Sequence, residues 1–367
     1  MKEVGVFAEK VCFICDFTNW DYDYDESRKM RKSGIYVFIE DLSKLVDGCM
    51  EDLKPKVTID FDDAMSIAAI DSTLYFTNII FNYRASPPTI YSRDIQTLTP
   101  DQLVGADNFC TLPCMLGKKR WPRLASIPGS KKLLVFSSVF SAYPRGFPFR
   151  PHDYAHFEMF DEETNSWKKL PQFLVRKSSS TCGRYLLHLS DAEEETIQIS
   201  IGPRDFRDDI DDYTYKIYAY ALSLTDEGRK AVFLVQLTCG GLMLALDLDP
   251  VSKSWRLYDE DRDGVAHSWV YPQGGKRDAA FRAPKLLSAE DDKVKRVCYA
   301  ATDMDGEKRV CIVRAGTGGC SKHGLVTLDV VNLMAGKDVL ASYNFVMEKK
   351  FKFFIPMFAF LYHPKLN

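Results

Sequence analysis

Short apolar runs, many alternating with polar residues, recur along the chain and are bounded by Gly, Pro, Asp or Ser. The period of two, with the wealth of β-branched and aromatic residues, predicts strands. They are VCFICDF (11–17), GIYVFIEDL (34–42), SIAAID (66–71), TLYFTNIIF (73–81), TIYSRDI (89–95), RLASI (123–127), KLLVFSSVF (132–140) and HFEMFD (156–161). Further along come YLLHLS (185–190), TIQISIG (196–202), KIYAYALSL (216–224), AVFLVQL (231–237), LMLALDL (242–248), RVCYAAT (296–302), GLVTLDVV (324–331) and FFIPMFAFLYH (353–363). Only 41–53 and 100–104 carry a helical pattern. The fold class is all-β.

Short turns such as IDST, IPGSKK, LSDAEEET and SAEDDKVK join these strands into units centred on 66–105, 123–173, 184–224, 217–258 and 284–345. One unit is left with middle strands at 11–17 and 34–42 and no inner strand before them. The C-terminal segment 353–363 can supply it, and a ring closed by shared terminal strands has no open sheet edges. Residues 1–367 are therefore expected to form a single β-propeller of six four-stranded blades. KIYAYALSL fits either the fourth or the fifth unit, which leaves five or seven blades open.

Two stretches repeat a pattern. EMFDEETNSWKKL (158–170) and LDLDPVSKSWRLY (246–258) both run apolar strand, Asp, turn, Trp and strand, and Asp161, Thr164 and Trp167 match Asp249, Ser252 and Trp255. The tryptophans lie about two blade lengths apart. With Gly240 and Gly241 after AVFLVQLTC, these units resemble kelch repeats, and the whole chain is similar to plant kelch-like proteins of uncharacterised function, some of them F-box proteins. The resemblance implies a kelch-type β-propeller, with Trp167 and Trp255 packed between blades and glycines where strands approach closely. The 158–170 unit lacks the double glycine. No leucine-rich F-box module precedes the first strands, so the resemblance implies no ubiquitin-ligase adaptor role.

Charge and composition narrow the function classes. A net charge of −3 gives no basic field of the kind that holds nucleic acid. No uninterrupted apolar stretch of about 18 residues predicts a membrane-spanning helix. Glu3, Glu9 and Lys10 interrupt what would be the apolar core of a secretion signal. The ten cysteines sit mostly in apolar strands, as in VCFIC and RVCIV, and reduced thiols in cytoplasm or nucleus are the expectation.

The long connections are 18–33, 141–155, 203–215, 259–283 and 303–323, and in a propeller they open on one face. Aromatic residues and arginines there are the types that anchor interfaces. The candidate partner-binding residues are Trp20, Tyr22, Arg145, Arg150, His152, Tyr154, Arg207, His267, Trp269, Tyr271 and Arg277. Tyr24, Phe147, Phe149, His156 and Tyr213 lie in the same loops; packing against the rim is the competing role for each. The function expected is an interaction module that holds a protein or peptide on this face. The alternative is a small-molecule binder or an enzyme of plant specialised metabolism at the channel mouth, using His152, His156, His267 and Tyr154 for acid–base work.

Catalytic and metal motifs are weak. Cys12 and Cys15 have redox spacing, but odd spacing on a strand sends their sulfurs to opposite faces, and no second CxxC completes a zinc site. Cys110 and Cys114 are weaker. His152 and His156 would share a metal on a helix, which Pro148 and Pro151 oppose. Plant specifier proteins are iron-using kelch propellers, but their Glu-x3-Asp-x3-His pattern is not found, and the copper set of the galactose oxidase type cannot be assembled. Asp303-Met-Asp305-Gly306-Glu307 begins like a calcium loop, but residue 314 is Arg where Glu would close it; Asp305-Gly306 reads as a hairpin turn. The acidic run 205–215 reads as a solvated loop, with attraction of a basic partner as the alternative. There is no nucleophile elbow, phosphate loop or dinucleotide fingerprint. No cofactor is expected, and catalysis has no sequence basis.

Overall fold

The computed structural model describes residues 10–18, 33–41, 56–60, 65–78, 89–98, 102–104, 109–119, 121–127, 130–141, 155–177, 184–189, 196–200, 214–224, 231–237, 242–248, 251–259, 294–304, 307–317, 324–332, 339–346 and 354–362. Among them are twenty-five strands, a short 3-10 turn at Ile95–Thr97 and no α-helix. The first strands are β1 (Lys10–Thr18), β2 (Ser33–Asp41), β3 (Val57–Asp60), β4 (Met65–Ile70), β5 (Thr73–Asn78), β6 (Ile90–Asp94), β7 (Gln102–Val104), β8 (Cys110–Thr111) and β9 (Pro122–Ser126). Next come β10 (Lys132–Ser137), β11 (Val139–Ser141), β12 (Phe157–Asp161), β13 (Ser166–Lys169), β14 (Leu174–Lys177), β15 (Arg184–His188), β16 (Thr196–Ser200) and β17 (Thr214–Leu224). The last are β18 (Ala231–Leu237), β19 (Met243–Asp247), β20 (Arg256–Leu257), β21 (Val294–Met304), β22 (Glu307–Thr317), β23 (Gly324–Asn332), β24 (Val339–Val346) and β25 (Phe354–Tyr362).

They form sheets in the orders β25-β1-β2-β3-β7, β4-β5-β6-β8, β13-β12-β10-β9, β11-β17-β18-β19-β20, β14-β15-β16 and β21-β22-β23-β24. The chain is all-β, with several antiparallel sheets. Gln102–Val104, in the stretch expected to be helical, is instead a strand, parallel to β3 with Thr58 opposite Leu103. The edge of β3 offers unpaired backbone groups there, and pairing with them outweighs a weak local helical preference.

Two compact units divide the chain. One comprises Met1–Leu74, Ser92–Cys110 and Ala279–Asn367. In it β25 lies antiparallel to β1, with Phe13 opposite both Ala359 and Phe38. Strands β21 to β24 form an antiparallel meander, and Met304 faces Glu307 where β21 passes to β22. Cys12 is fully buried, and burial pushes its thiol pKa up. A buried neutral thiol is a small hydrophobe and a poor metal ligand.

The other unit comprises Tyr75–Tyr91 and Thr111–Asp278. Its core is aromatic. Phe136, Phe140, Phe157, Phe173, Phe233 and Trp255 are fully buried in one cluster with Leu134, Met159, Leu187 and Leu244. Trp255 packs on Phe157 (centroids 5.0 Å), Phe173 (5.1 Å) and Phe233 (5.7 Å), and donates its indole N–H to the Pro171 carbonyl at 2.9 Å. Burial of such rings is the largest apolar contribution a single residue makes.

The run KLLVFSSVF, expected as one strand, changes sheets in its middle. Its first part, β10, pairs with β9 and β12; its last part, β11, pairs with β17. Ser138 is the switch. Its N–H and its hydroxyl both donate to the Trp121 carbonyl (3.2 and 2.9 Å), and its own carbonyl accepts from Ile217 N–H at 2.9 Å. The backbone groups freed by the change of partner are thus satisfied.

Candidate functional site

All eleven residues put forward as partner contacts, Trp20, Tyr22, Arg145, Arg150, His152, Tyr154, Arg207, His267, Trp269, Tyr271 and Arg277, lie outside the described residues. So do Asp249, Gly240, Gly241, Asp305 and Gly306. Of Tyr24, Phe147, Phe149, His156 and Tyr213, considered in the same loops, only His156 is described, and it is buried rather than displayed; the long connection expected at 303–323 is instead largely strand, Glu307–Thr317 pairing with Val294–Met304. The backbone N–H of His156 donates to Gln172 Oε1 at 2.7 Å, its Nδ1 lies 3.2 Å from Ser137 Oγ, and its ring meets Phe140 at 4.9 Å. These contacts seal the ends of β10 and β12. They make His156 part of the packing.

The described surface is most distinctive on the sheet β13-β12-β10-β9. Directly opposed residues share a face, so register assigns each side chain. Phe157, Met159, Leu134, Phe136 and Ala125 face the aromatic core. On the other face lie Leu124, Val135, Glu158, Phe160, Trp167 and Lys169. Among them Glu158 is fully buried, the one charge in an otherwise apolar run from Phe157 to Phe160.

The reason for that burial is a strap of chain, residues 113–119, laid across this face, with Trp121 beyond it. At its start Trp167 donates its indole N–H to the Pro113 carbonyl at 2.8 Å. The carboxylate of Glu158 then accepts the backbone N–H of Leu116 (2.8 Å, Oε2) and of Gly117 (2.9 Å, Oε1), and Oε1 also receives the ammonium of Lys119. Lys119 Nζ returns a bond to the Gly117 carbonyl at 3.1 Å. At the far end the Trp121 carbonyl takes the two bonds from Ser138. Gly117 is required: a Cβ there would stand 2.7 Å from both the Cβ and the N of Ala155.

Both side chains of the Lys119–Glu158 pair are withdrawn from water. Burial lowers the pKa of Lys119, and the attraction of Glu158 with its hydrogen bond pulls the other way. A buried charge survives only when paired and hydrogen-bonded, and here one carboxylate meets three donors. On the opposite face Tyr220, edge-on to Phe136 at 4.9 Å, has its pKa pushed up to about 12 by burial, with Arg123 opposing.

The strap is therefore fixed from beneath, while two large apolar side chains stand outward. Leu116 is 61% exposed and Trp121 42%, and Trp121 holds a positive φ of 50°. Cys114 is a free, exposed thiol on the same strap. Sequence reasoning missed this arrangement. The available signals were the lone Glu158 inside an apolar strand and the apolar Leu116 and Trp121 bracketing the polar Gly117–Arg120. Among the described residues no group of three or more His, Cys, Asp and Glu could hold a metal ion, and no helix is long and apolar enough to cross a membrane.

No family model matches the chain, and no curated protein matches it. Among solved structures it is similar to apo AztD from Citrobacter koseri, at 8% identity over 93% of this chain and 83% of that one, with a TM-score of 0.32. It is also similar to a hypothetical selenium-binding protein from Sulfolobus tokodaii, at 11% identity over 91% of this chain and 75% of that one, with a TM-score of 0.25. Likenesses of this size carry neither fold nor function to the chain.

Proposed function

We propose that the chain is an interaction module of propeller-type blades that presents the strap 113–119 and Trp121 to a protein partner, with Leu116 and Trp121 as anchors. The observation that carries this reading is the exposure of both side chains on backbone held by a buried charge pair. Large apolar residues on pre-organised backbone lose little entropy on binding, and Trp is the residue type most often dominant at interfaces. The blade reading is supported by β13-β12-β10-β9 and β21-β22-β23-β24, each a four-stranded antiparallel sheet. A six-bladed kelch-type ring, with Trp269, Arg150 and the other loop residues as a second contact surface, is part of the same proposal. Free, exposed Cys110 and Cys114 support a reducing compartment, cytoplasm or nucleus.

The test is affinity capture from cell extract with wild type, Leu116→Asp/Trp121→Ala and Arg150→Ala/Trp269→Ala, all first matched for thermal stability. Proteins retained by wild type and lost with the first pair support the strap. Loss with the second pair alone moves the site to the long loops, and identical captures from all three would contradict both surfaces.

A further inference from the structure

The exposed Trp121 sits on unfavourable backbone. Its φ of 50° lies in the left-handed region that bulky side chains avoid. It also precedes Pro122, and a following proline favours extended backbone of negative φ at the residue before it. Two local preferences are thus overridden at one residue. Strain of this kind persists only where the surroundings over-determine it, and it gathers where function needs a fixed geometry. Here it coincides with one of the few large apolar side chains that face water.

The group that over-determines it is Ser138. Pro122, at the start of β9, pairs with Ser137, which sets Ser138 opposite Trp121 one position beyond the ladder. There the Trp121 carbonyl accepts both the Ser138 N–H at 3.2 Å and the Ser138 hydroxyl at 2.9 Å. Ser138 is buried, and its own carbonyl accepts the Ile217 N–H at 2.9 Å. The backbone of Trp121 is therefore tied to the point where β10 passes into β11. We infer that Ser138 is the positioning residue of the Trp121 anchor: its hydroxyl fixes the left-handed backbone that displays the indole. The inference rests on the reading of Trp121 as an anchor, but no partner enters its test, so either can fail while the other stands.

Fluorine NMR of the full chain labelled with fluorotryptophan tests it, with the Trp121 and Trp255 lines assigned by their loss in Trp121→Phe and Trp255→Phe. Wild type should give one narrow Trp121 line. Ser138→Ala, which keeps the N–H and removes the hydroxyl, should shift and broaden that line while the line of buried Trp255 stays in place. Ser138→Thr, which restores a hydroxyl, should return the Trp121 line to its wild-type position. A serine that served the core alone would leave the Trp121 line where it was. A second measurement leaves Ser138 intact and guards against a variant there that fails to fold. On left-handed backbone Trp121→Gly should be more stable than Trp121→Ala, by roughly fivefold in the folding equilibrium constant, whereas at an ordinary φ the alanine variant would be the more stable. The inference is overturned if folded Ser138→Ala leaves the Trp121 line unchanged, or if Ser138→Thr behaves like Ser138→Ala. It is equally overturned if Trp121→Ala proves at least as stable as Trp121→Gly.

Discussion

The indole of Trp255 stands perpendicular to the ring of Phe173, centroids 5.1 Å apart, and its N–H reaches the Pro171 carbonyl at 2.9 Å. Trp167, at the matching place in the sequence repeat, is only partly covered and gives its N–H to the strap instead. The two tryptophans should therefore differ in weight. Trp255→Ala is expected to cost about 3–5 kcal/mol, as large-to-small changes in packed cores do. Trp167→Ala should cost about 1 kcal/mol. Urea denaturation of the two variants measures both, and equal losses would mean that the repeats bury their tryptophans alike.

Removing one member of the Lys119–Glu158 pair strands the other without its counter-charge. Lys119→Ala and Glu158→Ala should each cost about 3–5 kcal/mol, whereas Glu158→Leu/Lys119→Met should cost far less than their sum. A double-mutant cycle in urea reads the coupling. Strict additivity would show that the two groups do not depend on each other.

Tyr220 makes a prediction at alkaline pH. Its folded pKa, about 12, lies above the ordinary value of 10.0, because burial disfavours the phenolate. The native state thus keeps a proton that the unfolded chain releases. Its contribution is complete below pH 10 and is lost as pH rises toward 12, amounting to about 3 kcal/mol for a shift of this size. Comparing denaturation of wild type and Tyr220→Phe from pH 8 upward checks this: the phenylalanine variant should lose less stability above pH 10. Parallel curves would contradict the burial of that hydroxyl.

Thiol chemistry separates the cysteines. Cys110 and Cys114 are exposed, while Cys12 is buried with its thiol pKa raised. Under native conditions a maleimide should label Cys110 and Cys114 and spare Cys12, which should react only after denaturation. Peptide mapping of the labelled chain gives the result site by site.

Much of the strand content was legible because it rests on local pattern. AVFLVQL reads as an apolar strand and is one, Ala231–Leu237, with Val235 opposite Leu244. The turn after Asp161 was legible for the same reason: its carboxylate accepts the Glu163 N–H at 3.0 Å, a bond made within three residues. Partner choice was not legible. Nothing in KLLVFSSVF marks the change of sheets except two small polar residues, Ser137 and Ser138, and the change is decided by Trp121 and Ile217 far along the chain. The strap was hidden likewise. Leu116 and Gly117 read as loop and Glu158 as one strand position among others; only tertiary structure brings the amides onto the carboxylate.

Site-specific photo-crosslinking tests the central claim, that the strap is the face a partner meets. A photoreactive residue placed at Leu116, and separately at the exposed Lys168 as a control on the same sheet, would be activated in cell extract. The account predicts a discrete crosslinked protein from the Leu116 position that is absent from the Lys168 position and is suppressed by Trp121→Ala. Equal crosslinking from both positions, or none from Leu116 while the Arg150→Ala/Trp269→Ala pair abolishes capture, would contradict it.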